Sequence, residues 1–277
     1  MAQVARCWAR VLDDCDGGIS GEHRVSIAAW PDGQGRDEKK RKIIALRKGT
    51  LDARGNINAN VPGGFIRPTI SVNRITEPVL CRYHNEALSD TDKESGRLST
   101  NLREFWTTWK EKRSIPGLTY APKVLEVDGP LMERWFLKSA ITNFVSMGLP
   151  IGSPDAAPGM PSDELVEIAF DRRTPTGPIG LYGVGIPNEV ADERDEFEFG
   201  AYHHPDPTRQ RPEYIAGAFC GFRGIRALVH LTSTISAPTE LGRAVPGWHG
   251  AKVFRPFEAV QAPVAGLSLR FRWPAQR

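Results

Sequence analysis

The chain offers four cysteines, Cys7, Cys15, Cys81 and Cys220, and a histidine three positions after the third of them. Cys81-Arg82-Tyr83-His84 is a Cys-x-x-His unit. Together with Cys7 and Cys15 it supplies four soft or borderline donors, the ligand count of a closed tetrahedral zinc site. The interval from Cys7 to Cys15 is wider than the two-residue gap common in such sites. The plain alternative makes Cys7 and Cys15 half-buried residues and His84 a solvated helix residue. Cys220 lies in Ala-Phe-Cys-Gly-Phe, where a small buried hydrophobe is expected. The first eighteen residues, MAQVARCWARVLDDCDGG, hold no continuous apolar run. A secretory signal is therefore not expected, and a reducing, cytoplasmic setting disfavours a disulfide framework.

A second constellation pairs Ser20-Gly-Glu22-His23 with Val79-Leu-Cys81-Arg-Tyr-His84-Asn85-Glu-Ala-Leu88-Ser89. An acid directly before a histidine on a strand, followed by a helix opening with Cys-x-x-His-Asn, resembles the HNH nucleases of the ββα-metal class. The resemblance covers roughly residues 7–95. It implies that Cys7, Cys15, Cys81 and His84 hold a structural Zn²⁺. It further implies that His23 is the general base, assisted by Asn73, and that Glu22 and Asn85 ligate a catalytic Mg²⁺ or Mn²⁺. The chain departs from the family pattern in having Glu rather than Asp at 22, a wide Cys7–Cys15 gap and a long insertion between the two halves.

The chemistry explains the residue types. Phosphodiester hydrolysis needs a base for the attacking water, and a neutral imidazole serves near pH 7. A hard divalent ion held by carboxylate and amide oxygens stabilises the developing charge. Neighbouring strand residues point to opposite faces, so Glu22 and His23 share a site only if the backbone is irregular, and a bulge next to Gly21 would provide that. A small ββα unit has little core of its own, and a metal cross-link would hold it together.

The elements that must position these groups read as an α+β protein. An N-terminal HNH-like module with helices is expected over 1–147 and a β-rich part over 148–277. Ile19–Ile27 and Thr69–Asn73 read as strands, and a helix is expected from Cys81. A second helix starts near Ser89, with Leu98, Leu102, Phe105, Trp106 and Trp109 as its apolar stripe. Gly129–Val145 reads as a third helix with Pro130 in its first turn. Residues 148–163 read as a linker or long loop. Beyond them, short apolar runs at 166–170, 179–186, 197–202, 215–222, 227–232 and 267–273 read as strands. The insertion, residues 31–70, is too dense in turn residues for a long regular element.

Lysines and arginines number 36 against 33 acids, a net charge of +3, which neither demands nor excludes nucleic acid. Arg36–Lys48 places seven cations in thirteen residues; in a nuclease this loop would track a phosphate backbone, and otherwise it is a solvated loop. His203-His204 could bind metal, but no third ligand is evident. No run of 18 apolar residues is present, so a membrane-spanning helix is not expected. The sequence therefore predicts a metal-dependent endonuclease with nucleic acid, DNA in the first instance, as its partner. The alternative is a non-catalytic zinc-bound module of a bacterial or phage system that binds nucleic acid or protein. The C-terminal part would supply a protein partner site or homo-oligomer contacts.

Overall fold

The structure is a computed structural model that describes residues 6–23, 76–113, 121–175, 177–185, 197–204, 213–222, 224–233 and 266–274. It also describes short strand pieces between 42 and 71 and at 252–254 and 259–262. A short 3₁₀ turn at Arg10–Leu12 leads into β1 (Ile19–His23). The insertion contributes β2 (Lys42–Ile44), β3 (Arg47–Lys48), β4 (Thr50–Leu51), β5 (Ile57–Asn58), β6 (Phe65–Ile66) and β7 (Thr69–Ser71). Then come β8 (Thr76–Cys81), α1 (Arg82–Ala87) and α2 (Ser89–Arg113).

β1 pairs antiparallel with β8, not with the 69–73 segment, whose strand β7 pairs instead with β2 inside the insertion. The register of β1 on β8 shifts between Ser20 and Glu22. One residue, Gly21, faces two, Pro78 and Val79, across that step. Pro78 has no N–H to give the ladder, and a bulge is where a strand tolerates it. An irregularity thus lies beside Gly21, but its extra residue is on β8, and Glu22 and His23 pair in regular register just past it. The helix expected from Cys81 begins one residue later: Cys81 is the last residue of β8, extended, and α1 starts at Arg82.

The rest is built around α3 (Gly129–Phe144), which follows β9 (Lys123–Asp128) directly. Asp128 caps α3 by accepting the Leu131 N–H at 2.9 Å, and Pro130 sits in the first turn, where its missing N–H costs nothing. Met132, Trp135, Phe136, Leu137, Ala140 and Ile141 are all buried, so α3 is enclosed rather than amphipathic. Its two buried charged groups have partners. Lys138 Nζ reaches both oxygens of Asp92 on α2 at 2.7 and 2.8 Å, and Glu133 accepts the Leu181 N–H at 2.8 Å.

Leu98, Leu102, Phe105 and Trp106 form the buried stripe of α2, with Trp109 partly buried beside them. Residues 148–162 form a loop, but a packed one: Ile151 is fully buried and bridges both Pro161 and Ile215. The 166–170 run is not a strand. It lies on α4 (Asp163–Ala169) and its C-terminal cap Phe170, and two acids in the first turn favour a helix there. The other expected C-terminal strands are found as β10 (Gly180–Gly185), β11 (Phe197–His204), β12 (Tyr214–Phe222), β13 (Ile225–His230) and β16 (Leu267–Arg272). They are joined by β14 (Lys252–Phe254) and β15 (Ala259–Ala262). Five of them make an antiparallel sheet in the order β11-β12-β13-β10-β14. β16 adds in parallel to β9, so the last strand returns beside the middle of the chain. Cys220 is buried on β12, as its apolar context implies. The protein is thus α+β with a β-rich C-terminal part. Among the described residues no helix is long and apolar enough to cross a membrane.

Candidate metal centre

Three segments converge at the start of α1. The first is the turn around Cys7, where the Trp8 N–H donates to the Val79 carbonyl at 2.9 Å and fixes the segment along β8. The second is the loop 13–18, whose Gly18 and Asp16 carbonyls accept the Arg82 and Tyr83 N–H groups at 3.0 and 3.3 Å. These would otherwise be unpartnered donors of the first helical turn. Gly17 in that loop has φ +71°, and a Cβ there would stand 3.2 Å from the Arg82 Cβ, so glycine suits both backbone and space. The third is the junction of β8 and α1, where Cys81 is the helix cap and its Sγ accepts the His84 N–H at 3.5 Å.

The side chains of Cys7, Cys15, Cys81 and His84 meet there, their donor atoms all within 4.8 Å of one another. The sulfurs of Cys81, Cys7 and Cys15 lie 3.1, 3.4 and 3.6 Å from the single Nδ1 of His84. One imidazole nitrogen has one lone pair or one proton, so it cannot satisfy three thiols by hydrogen bonding. A tetrahedral ion with Zn–S of about 2.3 Å and Zn–N of about 2.0–2.1 Å sets S···N edges at about 3.6 Å. The donor set and its spacing fit such an ion. Cys7, Cys81 and His84 are fully buried and Cys15 is half-buried. That enclosure suits a closed, structural site rather than one that exchanges ligands with solvent.

A further pair of residues, not foreseen from the sequence, orients the histidine. His84 Nε2 lies 2.7 Å from Asp14 Oδ1. A carboxylate only accepts, so Nε2 carries the proton and Nδ1 presents its lone pair to the thiols. Asp14 Oδ2 in turn accepts from Arg172 in the turn after α4. Phe170 stacks edge-on to His84 at 5.0 Å and lies 5.6 Å from Trp8, closing the centre with apolar surface. Asp14 had a faint sequence signal, standing directly before Cys15. Arg172 and Phe170 had none, being more than 150 residues downstream of Asp14.

Burial pushes the Cys7 thiol up. Burial, and then the neighbouring Cys7 and Cys81 sulfurs, push Cys15 up to about 12. Three sulfurs this close cannot all ionise unless a positive charge sits among them. Burial also lowers the His84 pKa, more than Asp14 raises it, so the ring is neutral near pH 7, the form that ligates. Burial raises Asp14, but hydrogen bonds from Arg172 and His84 outweigh it and hold the carboxyl below its ordinary range. The Cys81 N–H adds a bond to the Cys7 sulfur at 3.4 Å, which favours a thiolate there.

The residues expected to do chemistry are placed less fully. The backbones of Glu22 and His23 lie in β1 opposite Glu77 and Thr76, just past the bulge, while their side chains lie outside the described residues. Asn73 also lies outside the described residues. Asn85 is half-buried on α1, next to His84. His203 and His204 lie on β11 opposite Ile215 and Tyr214, again without described side chains. Comparison with family models, with curated proteins and with solved structures finds no match to this chain. The functional reading therefore rests on the chain's own residues.

Proposed function

We propose that the Cys3His cluster holds a structural Zn²⁺ and that the ββα unit stapled by it is a metal-dependent endonuclease acting on DNA. The observation that carries this reading is the chain path: a bulged β1–β8 hairpin runs directly into α1 through the cluster, with Glu22-His23 just beyond the bulge. The bulge places its extra residue on β8 immediately before the point where Glu22 and His23 leave the paired strands. In this reading His23 takes the proton of the attacking water, with Asn73 fixing its tautomer. Glu22 and the Asn85 amide oxygen hold a Mg²⁺ or Mn²⁺ ion, which when bound neutralises charge at the scissile phosphate. The zinc takes no part in the reaction and keeps the hairpin and helix together.

The test is nicking of supercoiled plasmid with Mg²⁺ or Mn²⁺. Wild type should nick, and His23→Ala should lose about a hundredfold or more in rate while keeping its zinc. Equal rates in the two would remove His23 from the mechanism. DNA binding without any turnover by wild type would leave the non-catalytic zinc module in its place.

A further inference from the structure

We propose that Cys15 is a peroxide-reactive thiol resolved by Cys7, and that the Cys7–Cys15 disulfide so formed expels the metal ion from the centre. The inference rests on the zinc reading above and not on the nuclease.

Three observations carry it. The first is access. Cys7 and Cys81 are fully buried, whereas Cys15 is half-buried and stands in the loop 13–18, whose Asp13, Asp16, Gly17 and Gly18 are all exposed. A small, uncharged oxidant therefore meets the Cys15 sulfur first. The second is a resolving partner. The Cys7 sulfur lies within 4.8 Å of Cys15 Sγ, so the two have less than about 3 Å to close before they bond. A solvent-reaching thiol poised beside a second one is the arrangement of a redox-responsive pair. The third is the anchoring of the remaining sulfur. Cys81 ends β8, caps α1, accepts the His84 N–H and stands nearest to Nδ1, at 3.1 Å. Cys15 can swing towards Cys7 with its loop while β8 and α1 stay in place. Cys220 is buried on β12 and takes no part.

The chemistry runs in two displacements. The Cys15 thiolate attacks one oxygen of hydrogen peroxide, the O–O bond breaks, and hydroxide leaves as the sulfur becomes a sulfenic acid. The Cys7 thiolate then attacks that sulfur, the S–O bond breaks, and a second hydroxide leaves. Two protons from solvent turn both into water. Each sulfur gives up one electron, and the peroxide takes the two. A disulfide sulfur lacks the thiolate charge that a zinc ligand needs. Cys81 and His84 then remain alone, two donors where a closed site needs four. Asp14 moves with its neighbour Cys15, which draws the carboxylate away from His84 Nε2 and from Arg172. The opening thus extends from the hairpin to the turn after α4. A thiol reductant reverses the bond and lets the centre refill.

The experiment exposes the reduced, zinc-loaded full chain to hydrogen peroxide. Zinc release is followed with a chelating dye, and the cysteines are mapped by tryptic mass spectrometry. Arg6, Arg10, Arg74 and Arg82 place Cys7, Cys15 and Cys81 in separate peptides. The expected result is about one zinc released per Cys7–Cys15 bond, Cys220 still reduced, and zinc taken up again after a thiol reductant. Cys15→His keeps a fourth ligand but no accessible thiol. It should release zinc to peroxide at least about tenfold more slowly. The mapping of wild type decides the matter even if that variant fails to hold zinc. A bond from either thiol to Cys81, or oxidation of Cys15 beyond the sulfenic acid without any bond, would overturn the proposal. So would release from zinc-loaded Cys15→His as fast as from wild type. A wild-type chain that keeps its zinc under peroxide removes the switch and leaves the zinc reading standing, whereas one that holds no zinc beforehand removes both.

Discussion

Replacing Asp14 tests how the chain prepares its imidazole ligand. Asp14 Oδ1 accepts the Nε2 proton of His84 at 2.7 Å, on a ring whose side chain is 1% exposed. Removing the carboxylate leaves a buried N–H without its acceptor and lets the ring change tautomer or turn. Loss of such an orienting partner lowers metal affinity about 10- to 100-fold. Asp14→Ala, which removes both oxygens, should fall near the upper end of that range. Asp14→Asn keeps an oxygen for the ring but loses the charge, and should fall near tenfold. Arg172 reaches His84 only through Asp14 and is about half exposed, so Arg172→Met should change affinity by less than about threefold. Competition for Zn²⁺ between the reduced protein and a chelating dye reads all four proteins on one scale. Zinc affinity of Asp14→Ala within about twofold of wild type would refute the orienting role.

Other outcomes follow from the same geometry. Chelation of the metal should expose Trp8, now 1% exposed and packed on Phe170, and its fluorescence should shift to the red; unchanged emission would mean that the segment stands without the ion. Stability and zinc retention should both decline as pH drops from about 6.5. Burial lowers the folded His84 pKa, so below the unfolded value the unfolded chain binds the proton more readily. Asp14 adds a second loss at lower pH: its depressed pKa contributes stability present above the unfolded value of about 3.9 and lost as pH falls through the folded one. Chemical denaturation across pH, with zinc release followed in parallel, checks both. Asp92→Ala should cost about 3–5 kcal/mol because it strands the buried Lys138 ammonium, whereas Lys138→Met should cost much less, since Asp92 retains access to water. Equal losses in urea denaturation would contradict that asymmetry. Gly152→Ala should cost at least about 2 kcal/mol: φ is +83°, and a Cβ would fall 2.4 Å from Leu165 Cδ1 and 2.6 Å from the Leu231 carbonyl.

The sequence was informative where chemistry is local. Cys81-x-x-His84 spans one helical turn, so spacing alone brought thiol and imidazole together, and Cys7 and Cys15 were found by residue type. The stripe of α2 and the capped start of α3 follow from periodicity and Pro130. Long-range geometry was hidden. Nothing near Asp14 points to Arg172, and nothing in Leu267–Arg272 points to its parallel pairing with Lys123–Asp128. The 166–170 run misled because five residues with four apolar side chains suit either a buried strand or a short helix, and the deciding acids, Asp163 and Glu164, lie upstream. β7 forms a strand as expected but pairs within the insertion, while the partner of β1 is β8, which carries Pro78 in the bulge opposite Gly21. The nesting of the insertion's short strands depends on pairing across as many as 29 positions, which composition does not reveal.

Zinc K-edge absorption on the purified, reduced chain tests the metal centre most directly. The account predicts about one zinc per chain, with three sulfurs at about 2.3 Å and one nitrogen at about 2.0–2.1 Å. A first shell of oxygen and nitrogen alone, or a chain that takes up no zinc while Cys7, Cys15 and Cys81 are reduced, would contradict it.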